Sequence, residues 1–139
     1  MFADFEMLTH KEVENGGVLT AEWMCKLYND LNHQYFGSAL APDDYIQYEW
    51  ARIPHFYRAF YVYQYATGYS AATAISAKIL AEGEAARKNY IEFLKSGSSN
   101  DPVELLKIAG VDMSSPEPIR MAMETFKGLV EELEQLMQA

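Results

Sequence analysis

The sequence predicts an all-α fold, a multi-helix bundle, on three observations. Apolar residues recur at three- and four-residue spacing through most of the chain. No stretch alternates as a half-buried strand does, and several segments open on a capping residue and close on glycine. With 139 residues, half of them hydrophobic, the chain can bury a real core but is too short for a two-domain enzyme. Residues 1–139 therefore read as a single helical domain.

The elements follow in order. Phe2, Phe5 and Leu8, with acids between them, suit an amphipathic helix over Met1–Glu14 that ends at Gly16-Gly17. Thr20 caps a second helix with Glu22 in its first turn. Trp23, Leu27 and Leu31, with Met24, Tyr28 and Tyr35, give this helix a broad apolar face up to Gly37. Ser38–Asp44, with Pro42 and two aspartates, reads as a loop in which Asp43 or Asp44 caps a short turn over Tyr45–Trp50.

The densest stretch is Trp50–Tyr69, which holds half of the ten tyrosines, one of three histidines and almost no charge. Pro54 fits a first helical position, with His55 in the first turn, where the helix dipole favours neutral imidazole. At about 100° per residue, Tyr57, Tyr61, Tyr65 and Tyr69 follow at i, i+4, with Phe56, Phe60 and Tyr63 on an adjacent stripe. Buried phenols need partners, so such a wall either lines a wet cleft or is held by a polar network. An aromatic stripe at helical spacing packs a core more often than it builds a site, and from the spacing alone both readings stay open.

Gly68 is expected to weaken or bend this helix, after which Ala71, Ala72, Ala74, Ala77 and Ala81 form a run that a neighbour can approach closely. Glu82-Gly83-Glu84 breaks the pattern and Ala85–Leu94 resumes it, up to a second break at Gly97–Asp101. Asp101, Pro102 and Glu104 start a helix carrying Leu105, Leu106 and Ile108, and Gly110 ends it. Ser115-Pro116-Glu117 opens the last amphipathic helix, through Ile119, Met123, Phe126, Val130, Leu133 and Leu136.

Composition removes several functions. Twenty acids against eleven Lys and Arg give a formal charge of −9, which argues against nucleic acid or an anionic membrane surface as partner. Cys25 is the single cysteine, so no intramolecular disulfide forms, and the start lacks a secretory signal pattern. The chain reads as cytoplasmic. The most apolar run, from Ala59 to Ala81, is interrupted by Gln64, Thr67, Gly68, Ser70 and Lys78 and does not span a membrane.

The stretch "RIPHFYRAFYVYQYATGYSAA", Arg52 to Ala72, resembles the segment downstream of the zinc motif in oligoendopeptidase F, of the thimet-oligopeptidase-like zinc endopeptidases. "MFADFE", His10 and "GGVLTAEW" before it, and "YIEFLKSGSSNDPVELLKIAGVDMSSPEPI" after it, extend the likeness over nearly the whole chain. The resemblance implies the C-terminal helical part of a zincin-type oligopeptidase that cuts short peptides. Such an enzyme has hundreds of residues upstream, which marks Met1 as an internal methionine or an expression start.

In that family two histidines one helical turn apart hold zinc, with a glutamate between them as base. No His-Glu-x-x-His occurs in this chain, and His10, Cys25 and His33 are irregularly spaced. The resemblance puts the third zinc ligand, a glutamate, upstream too, with Glu6 just beyond it, so no metal ligand is carried over and zinc belongs to the full-length parent. What carries over is a histidine and tyrosines that line the cleft and donate hydrogen bonds to the developing oxyanion. By resemblance His55 and Tyr63 are these donors, and Tyr57, Tyr61 and Tyr65 are substrate-cleft residues. The chain alone is then expected to be inactive. The alternative readings are a free-standing helical binding module that self-associates through its exposed interface, and an unrelated metal-binding protein using His10, His33 and His55.

Overall fold

In the chain's computed structural model, which describes residues 1–41 and 43–138, the described residues contain six α-helices, three 3-10 turns and no strand. The α-helices are α1 (Phe2–Glu14), α2 (Ala21–Phe36), α3 (Tyr63–Glu82), α4 (Glu84–Ser96), α5 (Pro102–Ile108) and α6 (Glu117–Gln138). The residues form two compact units, Met1–Gln64 and Tyr65–Ala139.

In the first unit, α1 ends before Gly16-Gly17 as its sequence requires. The Thr20 hydroxyl accepts from the Trp23 N–H at 3.2 Å, the expected cap of α2. Gly37 closes α2 with φ of 67°, a backbone that favours glycine. Three 3-10 turns follow, Gly37–Ala39, Ile46–Arg52 and Pro54–Tyr57. Asp43 accepts from the Tyr45 N–H at 2.9 Å, the anticipated turn cap, while Pro42 lies outside the described residues.

The core of this unit is aromatic. Phe5, Tyr28 and Leu31 are buried and pack with Trp50 and Phe56. Phe5 meets Tyr28 edge-on with ring centroids 5.3 Å apart and Phe56 at a 51° tilt with centroids 5.1 Å apart, separations at which ring quadrupoles attract. Tyr28 is fully buried, and its hydroxyl donates to Glu49 Oε2 at 2.7 Å, which ties the Ile46–Arg52 turn to α2. The Trp50 indole N–H donates to Cys25 Sγ at 3.5 Å.

The second unit is built on small residues. Ala71, Ala74 and Ile75 of α3 are buried with Ala109 and Val111, and Tyr90, Phe93 and Leu106 pack around them. The alanine run thus serves the close approach its side chains permit. Gly83, at φ of 66°, separates α3 from α4. Asp101 accepts from the Val103 N–H at 2.9 Å and Pro102 takes the first position of α5, the start its sequence announces.

Two expectations fail. The tyrosine helix does not begin at Pro54: Pro54–Tyr57 is a single 3-10 turn, residues 58–62 are irregular and α3 starts at Tyr63. Tyr57 and Tyr61 therefore share no helical face with Tyr65 and Tyr69. The dipole argument for His55 falls with it, since a four-residue turn has no macrodipole of consequence. Helix α3 runs through Gly68 to Glu82. Tyr35 is half-exposed and its hydroxyl donates to Asp4 at the surface. Helix α6, amphipathic as expected, is buried through Pro118 and Ala122, and its apolar stripe, from Ile119 to Leu136, is exposed.

Candidate functional site

The candidate residues of the first unit sit on and beside one short irregular segment. Pro54 fixes the start of the turn that carries His55, which is half-buried. The chain then turns sharply at Phe60, whose φ of 52° is a left-handed conformation that costs a non-glycine residue about 1–3 kcal/mol. Two contacts offset that strain. The Phe60 ring stacks on His10 with centroids 4.3 Å apart, and the next two backbone N–H groups are captured by Glu6.

Glu6 is the organising residue. It projects from α1, is only 3% exposed, and receives the Tyr61 N–H on Oε1 at 3.1 Å and the Val62 N–H on Oε2 at 3.4 Å. An acceptor on this segment satisfies donors just upstream of the first turn of α3, where no intrahelical partner exists. The carboxylate thereby fixes where α3 begins, and so where Tyr63, its first residue, stands.

His55 and Tyr61 come together. Their rings stack with centroids 5.7 Å apart and planes inclined by 15°. The Arg58 guanidinium lies 5.7 Å from the centroid of the Tyr61 ring, within cation–π range. Tyr63 is half-exposed and Tyr57 is 83% exposed, so both phenols reach solvent. Tyr65 belongs to the second unit and is exposed there. Neither His55 nor Tyr63 is sealed in an apolar interior.

The chemistry available is hydrogen-bond donation and aromatic contact: an imidazole, a stacked phenol, a cation over its ring and two solvent-facing phenols. Among the described residues no group of three or more His, Cys, Asp or Glu is arranged to hold a metal ion. His10, one of the three histidines considered for a metal site, packs on Phe60 instead. The residues present do not fit a zinc site. Also among the described residues, no helix is long and apolar enough to cross a membrane.

Glu6, Phe60 and Arg58 were not anticipated as parts of this arrangement. For Glu6 a signal existed: it stands four residues after Phe2 and next to Phe5, on the apolar side of α1, where an acid needs a buried partner.

The profile of peptidase family M3 matches residues 1–125. The chain belongs to peptidase family M3. Oligopeptidase PepF of Bacillus subtilis is 53% identical over 137 residues, which cover 99% of this chain and 20% of that protein. A plasmid-borne oligoendopeptidase F of Lactococcus lactis subsp. cremoris is 45% identical over 137 residues, 99% of this chain and 23% of the relative. The crystal structure of oligoendopeptidase-F from Enterococcus faecium superposes with a TM-score of 0.88 at 46% identity, covering 98% of this chain and 26% of that one. The chain thus spans about a fifth to a quarter of the length of the M3 proteins it matches.

Proposed function

We propose that this chain corresponds to the C-terminal helical portion of a zinc-dependent oligoendopeptidase that hydrolyses short peptides, and that it supplies the substrate-cleft wall and oxyanion donors. His55 and Tyr63 donate to the oxyanion, and Tyr57, Tyr61 and Tyr65 contact the peptide. The 139 residues act as one piece of the catalytic region. Zinc is held by the parent outside these residues, and the chain alone is inactive.

The observation that carries this reading is the stacking of His55 on Tyr61, on a segment that Glu6 anchors just before Tyr63, in a chain of the M3 family. The strained bend at Phe60 supports it too, because backbone strain that the surroundings hold in place is concentrated at functional sites. Donors fixed before reaction need no reorganisation as charge develops, and each is worth about 3 kcal/mol.

Two assays test the proposal. The pure chain is given an internally quenched peptide with added zinc, and zinc-dependent turnover would refute inactivity in isolation. In a reconstituted enzyme containing the metal-bearing portion, His55→Ala and Tyr63→Phe should each lower kcat by about a hundredfold or more with little change in KM. Unchanged kcat in both variants removes them from the site.

A second reading, a self-associating helical binding module, is favoured by one feature, the exposed apolar stripe of α6.

A further inference from the structure

Two local rules are broken side by side in the first unit. Glu6 is a carboxylate with 3% exposure, and among the described residues it forms no ion pair with Lys, Arg or His. A buried charge without a cation is costly. Phe60, against the same helix, holds a left-handed backbone at φ of 52°. Sequences keep such departures where function requires them.

The donors account for the charge. Tyr61 and Val62 present two backbone N–H groups to one side chain, which receives them on Oε1 at 3.1 Å and Oε2 at 3.4 Å. A glutamine would accept one of these and set its own NH2 against the other, so only a carboxylate serves both. One turn further along α1, His10 stacks on Phe60 with ring centroids 4.3 Å apart. The same helix thus grips the bend and the two residues after it.

What this grip locates is a pair of side chains. The Tyr61 ring lies against His55, with planes inclined by 15°, and Tyr63 follows Val62 as the first residue of α3. Residues 58–62, between the turn of His55 and Tyr63, form no helix of their own, so their course is set from α1.

We propose that Glu6 is a positioning residue for the oxyanion donors, holding Tyr61 against His55 and Tyr63 at the start of α3. The inference rests on the roles given above to His55 and Tyr63. Being buried, Glu6 does not touch the peptide and acts on the reaction only through those two groups. A displacement of about 1 Å at a reacting centre costs about a hundredfold in rate, so a small release of this segment is enough to be seen.

Steady-state kinetics of the reconstituted enzyme, the chain together with the metal-bearing portion, test this. Glu6→Gln should lower kcat about tenfold or more with less than about a twofold change in KM. Added to His55→Ala with Tyr63→Phe, the same substitution should change kcat by less than about twofold, because the groups it acts through are gone. Thr20→Ala, which weakens the same unit at the cap of α2, should leave kcat unchanged. A loss there as large as that of Glu6→Gln would reduce Glu6 to a merely stabilising residue. In the chain alone, amide exchange followed by NMR should quicken at Tyr61 and Val62 in Glu6→Gln while α2 stays as protected as in wild type. Wild-type kcat in Glu6→Gln, an undiminished loss when it is added to the His55 and Tyr63 substitutions, or unchanged exchange at Tyr61 and Val62 would overturn the proposal. If His55→Ala and Tyr63→Phe themselves keep wild-type kcat, the reading of the site fails and this proposal with it. If they lose activity and Glu6→Gln does not, only the proposal fails.

Discussion

The buried carboxylate of Glu6 accepts the backbone N–H of Tyr61 at 3.1 Å, joining residues 55 apart in sequence, and its other oxygen holds Val62. Helix α1 thereby decides where α3 begins. Glu6→Ala would leave two backbone donors without an acceptor and should cost about 3 kcal/mol, measured by urea unfolding followed by circular dichroism. Glu6→Gln keeps one acceptor oxygen and should cost about half as much. A Glu6→Gln loss near zero would show that the carboxylate's second bond contributes nothing.

Tyr28 should make the first unit sensitive to alkali. Burial first, then its hydrogen bond and charge contact with Glu49, push this phenol well above the usual range. Below about pH 10, folded and unfolded chains both keep the proton and the contribution is fully present. Above that, the unfolded chain releases its proton while the folded one retains it, so stability falls as pH rises toward the folded value. Urea unfolding across this window should show the decline. Tyr28→Phe should be less stable at neutral pH by about 1–2 kcal/mol, since Glu49 Oε2 loses the phenol and keeps only the Arg52 contact on its other oxygen, and should show a shallower alkaline slope.

The two side-chain caps should be worth similar amounts. Thr20→Ala and Asp101→Ala each remove an acceptor from a first-turn N–H and should destabilise by about 1 kcal/mol. Asp101→Asn, which keeps an acceptor oxygen, should recover most of that loss in the same denaturation assay.

The alanine core of the second unit leaves no room for growth. Ala74 is 2% exposed among Ala71, Ile75, Ala109 and Val111. Ala74→Leu should destabilise by about 1–3 kcal/mol through overpacking, whereas Ala72→Leu, on the exposed side of α3, should be close to neutral. Thermal melts of the two variants separate the faces.

Gly110 combines two constraints. Its φ is +78°, and an added Cβ would lie 2.8 Å from Cε of Lys78. The lysine chain can swing aside, so the backbone term decides, and Gly110→Ala should cost about 1 kcal/mol in a thermal melt.

What could be read from the residues was local. The caps at Thr20 and Asp101, the glycine ends at Gly37 and Gly83, and the small-residue face at Ala71 and Ala74 each depend on neighbours a few positions away. The resemblance carried by Arg52–Ala72 agreed with the family found. The conformation of that same stretch was misread. A phenol every four residues from Tyr57 to Tyr69 is the pattern of one helix, yet the segment before Tyr63 bonds to a carboxylate more than fifty residues earlier. Periodicity carries no record of such a distant partner. The stripe of α6 was read as amphipathic, and its spacing told which residues share a face and not what meets it.

Trp50 donates to Cys25 and Trp23 sits in the first turn of α2, and these are both of the tryptophans in the chain. Each lies within Met1–Gln64. Indole emission therefore watches one half of the molecule and is blind to the other. A melt recorded by that light and one recorded by helical signal will coincide only if both units let go together, so comparing the two curves reads out their cooperativity without any added label.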